Sequence, residues 1–148
     1  MTRLTTQILA WSGLLPFVGA LLLTYGQQSL LGLYPPFVFA VYSGGILAFM
    51  GGTLWGRVSH EAEPDYGPQR LLSSNLVALL AIAGLLLAQL TIFVALILLA
   101  FGFWLFWYFE LRWRAYSEQD GFYATLRRYL TWVVIGLHLL QVLIMLVA

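Results

Sequence analysis

Charged positions along this chain fall in three stretches only: Arg3, the segment from Arg57 to Arg70, and the segment from Glu110 to Arg128. The segments between them are almost wholly apolar. A helix rises about 1.5 Å per residue and a hydrocarbon core is about 30 Å thick, so one crossing takes roughly 20 mostly apolar residues. Five segments meet that length, at residues 7–25, 36–55, 71–88, 91–109 and 129–147. The second opens at Pro35 and Pro36, where the first turn of a helix tolerates a missing N–H. The third and fourth are fused, because residues 71–109 carry no charge. That run is about twice one crossing, so a tight hairpin near Ala88, Gln89 and Thr91 is expected to divide it. The pattern therefore predicts an all-α integral membrane protein: one domain over residues 1–148, built as a single bundle of five transmembrane helices.

Threading the chain through five crossings puts every Arg, Asp and Glu on one side of the membrane and none on the other. Short loops rich in Arg stay in the cytoplasm, which places the N-terminus inside and the C-terminus outside. The outer connections, Gly26 to Tyr34 and the hairpin, are short and uncharged. Arg3 ahead of an apolar run also fits a cleaved signal peptide. Pro16, Trp11 and the lack of a small-x-small cleavage pattern favour a retained helix instead.

Composition excludes a water-soluble globule. Hydrophobic residues make up 61% and charged residues 9%, and the mean hydropathy is +0.88, which leaves too little polar surface to cover 148 residues. The net charge of +1 is laid out as a one-sided Arg layer. Such a layer points to anionic lipid headgroups as neighbours and argues against nucleic acid. Cysteine is absent, so disulfides, thiolate nucleophiles and thiolate metal sites are excluded. All seven cations are Arg, a choice that suits phosphate recognition or reflects a genome rich in G and C.

Within the second span Ala40, Gly44, Ala48, Gly52 and Gly56 recur every four residues, with Gly45 and Gly51 beside them. This small-xxx-small stripe is expected to form a packing face, where helices without a hydrophobic drive gain close backbone contact. It is expected to meet a neighbour in the bundle; a homo-oligomer seam or a lipid-tail groove is the alternative. A Gly52→Ile change should disturb whichever applies.

Polar side chains inside the apolar spans are the next candidates for chemistry. Tyr42, Asn75, His138 and Gln141 are the intramembrane polar set, and Thr131, His138 and Gln141 share a face of the fifth span. An ionisable group near mid-membrane is costly and points to function. As a neutral ring hydrogen-bonded to Tyr42, Asn75 or Ser43, His138 is interhelical glue; a haem or metal ligand and a proton or substrate contact are the sharper readings. The only other histidine is His60, in a charged loop, which leaves a two-His haem unsupported.

Around it, His60, Glu61, Glu63 and Asp65 are crowded without the spacing of a zinc or calcium motif and read as a solvated acidic loop. Nucleophile elbows, phosphate-binding glycine loops and metalloprotease helices are also missing from the sequence. The reading leans against an enzyme, with no catalytic residue, no metal and no cofactor. The run from Phe101 to Arg114, FGFWLFWYFELRWR, gathers Trp104, Trp107, Tyr108 and Trp113 toward the charged end as an aromatic belt. Beyond it Glu110 and Arg114 are spaced to pair along a helix, while Arg112, Arg127 and Arg128 are suited to phosphate oxygens.

Particular strings carry a family resemblance: GLLPF at Gly13 to Phe17, Tyr42 to Phe49, Gly51-Gly52 to Trp55-Gly56, and YATLRRYLT at Tyr123 to Thr131. Together they resemble an uncharacterised family of small membrane proteins that includes mitochondrial transmembrane protein 69 and many proteobacterial relatives. The chain departs from that pattern at Asn75 and Glu110, where proline and aspartate are usual. The resemblance implies a multi-pass protein of the bacterial inner (cytoplasmic) membrane, or of the mitochondrial inner membrane in a eukaryote. It implies no activity.

Pro16 is expected to kink the first helix and free a carbonyl near Ser12. Trp55 and Arg57 should end the second helix where Arg127 begins the fifth, so Trp55, Arg57, Tyr123 and Arg127 are expected to converge, with Arg128 beside them, as a ligand or lipid-headgroup cluster. Three function classes follow. The leading one is a non-enzymatic bundle serving as an accessory or assembly partner of a larger inner-membrane complex, its partners being membrane lipids and other inner-membrane proteins or a second copy. The alternative is a binder or carrier of a lipid, quinone or other apolar metabolite. A proton-coupled or ion transporter working through His138 ranks third, because the chain is small and lacks an inverted repeat.

Overall fold

The structure is a computed structural model that describes residues 2–113 and 121–147. Within them the chain forms six helices and no strand: α1 (Arg3–Ser12), α2 (Leu15–Tyr25), α3 (Pro35–His60), α4 (Gly67–Leu87), α5 (Ile92–Arg112) and α6 (Gly121–Val147). α1 and α2 belong to one apolar run, Arg3–Tyr25, so five runs are long and apolar enough to cross a membrane.

The break between α1 and α2 follows from Pro16, which brings no N–H and whose ring opposes the carbonyl of Ser12. The helix closes at Ser12 and restarts at Leu15. The carbonyl taken up from another helix is that of Gly13, one residue beyond the expected position: Tyr42 on α3 donates its O–H to it at 2.7 Å. At the other end of the bundle the uncharged run divides at Ala88 to Thr91, where a turn of short-range bonds includes Leu90 N–H to Leu87 O at 2.9 Å. Thr91 is extended and opens α5.

The helices run beyond the apolar segments at the charged end. α3 continues to His60 and carries Arg57 within it, while α6 starts at Gly121 and carries Tyr123, Arg127 and Arg128 on its first turns. A helix satisfies its own backbone in lipid and water alike, so the hydrophobic boundary does not end it.

Packing closes the helices into a ring. α3 lies against α2, α4 and α5; α5 also meets α4 and α6, and α6 returns to α2. Phe17, Phe39, Leu47, Leu54, Val77, Leu99, Phe103 and Phe106 fill the centre. Leu72, Leu79 and Leu86 of α4 and Phe101, Trp104 and Tyr108 of α5 point outward, giving the apolar perimeter that acyl chains require.

The four-residue repeat on α3 does not hold one face. Each step of four advances about 400°, a slip of about 40°, so the stripe winds off the packing side. Ala40 and Gly44 are buried, Ala48 and Gly56 are half-buried, and Gly52 is exposed. A Cβ added at Gly45, Gly52 or Gly56 would meet nothing within 4 Å. The buried face instead runs through Ala40, Gly44, Leu47, Gly51, Leu54 and Val58. On it Gly44 receives Leu85, whose side chain would lie 2.7 Å from an added Cβ, and at Gly51 an added Cβ would lie 3.1 Å from the Ser74 backbone carbonyl, while Ser74 donates its hydroxyl to the Gly51 carbonyl at 2.6 Å. Farther along, Gly102 receives Leu47 and Leu80, and Gly84 receives Leu99.

Candidate functional site

At the charged end the bundle encloses a carboxylate. Glu110, on the buried face of α5 one turn beyond Phe106, is 2% exposed. A buried carboxylate is tolerable only when paired and hydrogen-bonded. Arg127 of α6 supplies this, donating Nε and Nη2 to one carboxylate oxygen at 3.1 and 2.7 Å. Arg57 of α3 stands with Nη1 3.9 Å from the other oxygen and donates Nη2 to the Tyr123 hydroxyl at 2.6 Å. The Arg127 guanidinium also rests 5.4 Å over the Phe106 ring. Three helices are thereby tied together by one acid.

Of the five residues expected to converge, Arg57, Tyr123 and Arg127 do so. Trp55 and Arg128 do not. Trp55 stands two positions from Arg57, about 200° around the helix, and is half exposed on the perimeter. Arg128 is one position past Arg127 and exposed, with its guanidinium 5.5 Å over the Tyr129 ring. Glu110, expected to pair along its own helix, is the hub; Arg114 lies outside the described residues. The signal for Glu110 was present, since Leu99, Phe103, Phe106 and Glu110 repeat at steps of three and four and so share a face. Arg112 sits apart, over the Trp113 ring at 4.8 Å.

From this cluster a cavity of about 260 Å³ runs into the bundle beneath α1. Tyr123 and Arg127 stand at its charged end; Leu9, Phe17, Met50, Phe103, Leu130 and Val134 give apolar walls, and Thr131 lines it as well. α1 covers it with Thr6, Leu9 and Ala10, and Gly13 just beyond its end adds to the lining, yet none of α1 is buried. The cover is therefore thin and faces lipid on its other side. Thr131 is 2% exposed, and its hydroxyl oxygen is buried with no hydrogen-bond partner.

Deeper in the bundle the face of α6 below Thr131 carries His138 and Gln141, both fully buried. His138 Nδ1 lies 2.7 Å from the Val134 carbonyl, an acceptor that requires the proton on Nδ1. Nε2 of the neutral ring then accepts from the Ser43 hydroxyl at 2.6 Å. Phe17, Phe39 and Phe103 surround the imidazole with ring centres at 5.7, 4.9 and 5.5 Å. Gln141 donates Nε2 to the Thr24 hydroxyl at 2.9 Å. Both contacts join α6 to other helices through neutral hydrogen bonds. Asn75, grouped with them from sequence, is exposed on the outer face of α4; buried Ser73 and Ser74 precede it.

Two further features frame the site. Arg70, with its side chain 3% exposed, grips Glu61 at 2.9 and 3.2 Å and pins the α3–α4 connection. Among the described residues, no group of three or more His, Asp and Glu side chains could hold a metal ion. At the opposite end a wider opening of about 590 Å³ lies between the α2–α3 connection and the start of α5. It is lined by Gln27 and Ser29 of the connection and by Pro35 at the start of α3, with no charged side chain among the described residues.

The family described as "Protein of unknown function (DUF3429)" matches residues 2–143 of the chain. No curated protein and no solved structure matches it.

Proposed function

We propose, for a chain that belongs to the DUF3429 family, that this protein is a non-enzymatic membrane bundle that binds a lipid, quinone or other apolar metabolite. The observation that carries this reading is the cavity beneath α1. Its apolar walls end on Tyr123 and Arg127, the pairing of apolar lining with a few convergent polar groups that marks a ligand site. At about 260 Å³ it suits one chain segment rather than a whole lipid.

The same proposal sets the charged end in the cytoplasm of a bacterium, because the Arg residues cluster there, with the chain in the inner membrane; in a eukaryote the location is the mitochondrial inner membrane. Kinship with mitochondrial transmembrane protein 69 belongs to it too, supported by GLLPF and YATLRRYLT.

Native mass spectrometry of the full chain from lipid nanodiscs tests the reading, with Ala10→Phe filling the cavity from α1. Wild type should retain one amphiphile mass that the variant lacks. Identical spectra for the two proteins would overturn it.

A second reading is favoured by a separate observation. Gly45, Gly52 and Gly56 leave open space on the outer side of α3, a surface that a helix of another inner-membrane protein or a second copy could approach closely. An accessory role would appear as a stoichiometric partner in the same spectra, released by Gly52→Ile.

A further inference from the structure

Resting on the cavity as a ligand site, we infer that the polar group it receives is an uncharged carbonyl oxygen, held by Thr131 inside the membrane, and not an anionic head held by Arg127. Two independent features lead there.

The first is the unused donor. Hydroxyls on helices ordinarily return to a carbonyl of their own helix, and this chain follows the habit: Thr24 bonds Ala20 O at 2.9 Å, Thr53 bonds Met50 O at 2.7 Å and Ser59 bonds Trp55 O at 3.0 Å. Ser43 and Ser74 instead bond across to neighbouring helices. Thr131 does neither, although it is 2% exposed and lines the cavity. A buried hydroxyl without a partner is unfavourable; a turn of the Thr131 side chain about χ1, needed because the oxygen is covered as it stands, lets an acceptor arriving with the ligand remove that penalty.

The second is the charge at the mouth. The cation that lines the cavity, Arg127, already holds the Glu110 carboxylate through two donors. An anionic head seated there would stand beside a buried carboxylate and compete with it for the same guanidinium. A carbonyl brings no such repulsion. Thr131 lies one helical turn, about 6 Å, below Arg127, and the lining of α6 from Tyr123 to Val134 extends about 16 Å. The acceptor therefore sits within the apolar walls, with its chain running on past Leu9 and Phe17.

An ester and a quinone present the same acceptor chemistry. The test uses the full chain in nanodiscs with three ten-carbon probes: methyl decanoate labelled with ¹³C at its carbonyl, a decyl-substituted benzoquinone, and decanoate. Thr131→Val removes the hydroxyl at nearly constant volume, Thr131→Ser keeps it, and Ala10→Phe fills the cavity. Wild type should bind the ester or the quinone more tightly than decanoate, the tighter of the two naming the source. Thr131→Val should weaken that carbonyl probe about threefold to tenfold and abolish the carbonyl shift of bound ester, whereas Thr131→Ser should retain both. Decanoate binding as tightly as the carbonyl probes, with no effect of Thr131→Val, would overturn the inference while leaving the cavity reading intact. Binding of every probe unchanged by Ala10→Phe, or no binding of any probe, would overturn both.

Discussion

The two sides of the bundle are built on opposite terms. Where α3, α4 and α5 meet, backbones close on one another: Gly51 against the Ser74 carbonyl, Gly84 beneath Leu99, Gly102 beneath Leu47 and Leu80. Where α1 meets α6, no residue of the covering helix is buried and a cavity remains. Lipid offers no hydrophobic drive for helices to associate, so close contact must come from small residues and hydrogen bonds. Glycine and serine supply both on the first side. α1 offers Leu4, Ile8, Leu9 and Trp11, all exposed, and is joined to the rest through the Tyr42 to Gly13 bond and the stacking of Arg3 over Phe122 at 5.2 Å. The contrast teaches that one side is a wall and the other a cover.

The strongest way to break this contrast is at Glu110, which fastens α5 of the wall to α6 of the cavity. Glu110→Ala removes the buried carboxylate that Arg127 holds through two donors and Arg57 approaches, and should destabilise the bundle by about 3–5 kcal/mol. Unfolding in mixed micelles followed by circular dichroism reads that loss. Next comes the wall itself: Gly51→Val pushes a side chain into the Ser74 carbonyl, at an expected cost of about 1–3 kcal/mol in the same titration. Tyr42→Phe sharpens the contrast from the other direction. It removes one interhelical hydrogen bond, about 0.6 kcal/mol in a membrane, and should speed amide exchange in α1 while leaving α4 and α5 unchanged. Smallest is Gly52→Ile, which meets open space and should alter bundle stability by no more than about 0.5 kcal/mol. A large loss there would mean that the outer side of α3 is packed after all.

Much of the architecture was legible because apolar run length and charge placement report membrane crossings directly. The uncharged stretch divides at Ala88 to Thr91 for the reason it was expected to, a helix of twice the needed length. Side-chain geometry was less legible. The Ala40 to Gly56 repeat looks like a stripe in sequence, yet the 40° slip carries Gly52 to the exterior and leaves Gly51 at the contact. Trp55 and Arg128 were grouped with their neighbours by proximity in sequence, while a helix turns about 100° per residue and separates them. Among the candidate bonds of His138, Ser43 is the partner and Asn75 faces outward, a choice set by how α3 and α4 rotate about their own axes. Glu110 was readable from the Leu99, Phe103, Phe106 spacing but was matched to its own helix. Cavities leave no trace in composition, so the space beneath α1 and the unpartnered Thr131 hydroxyl emerge only in three dimensions.

The central claim is that the space beneath α1 accepts an apolar chain. An alkyl probe carrying a diazirine at its end, irradiated with the full chain in nanodiscs and mapped by peptide mass spectrometry, tests it directly. Labels should concentrate on residues 9–13, 49–50 and 126–130 and fall to the level of the perimeter in Ala10→Phe. Labelling spread over Leu72, Leu79, Phe101 and the other outward side chains, with no excess at the cavity and no change in the variant, would contradict it.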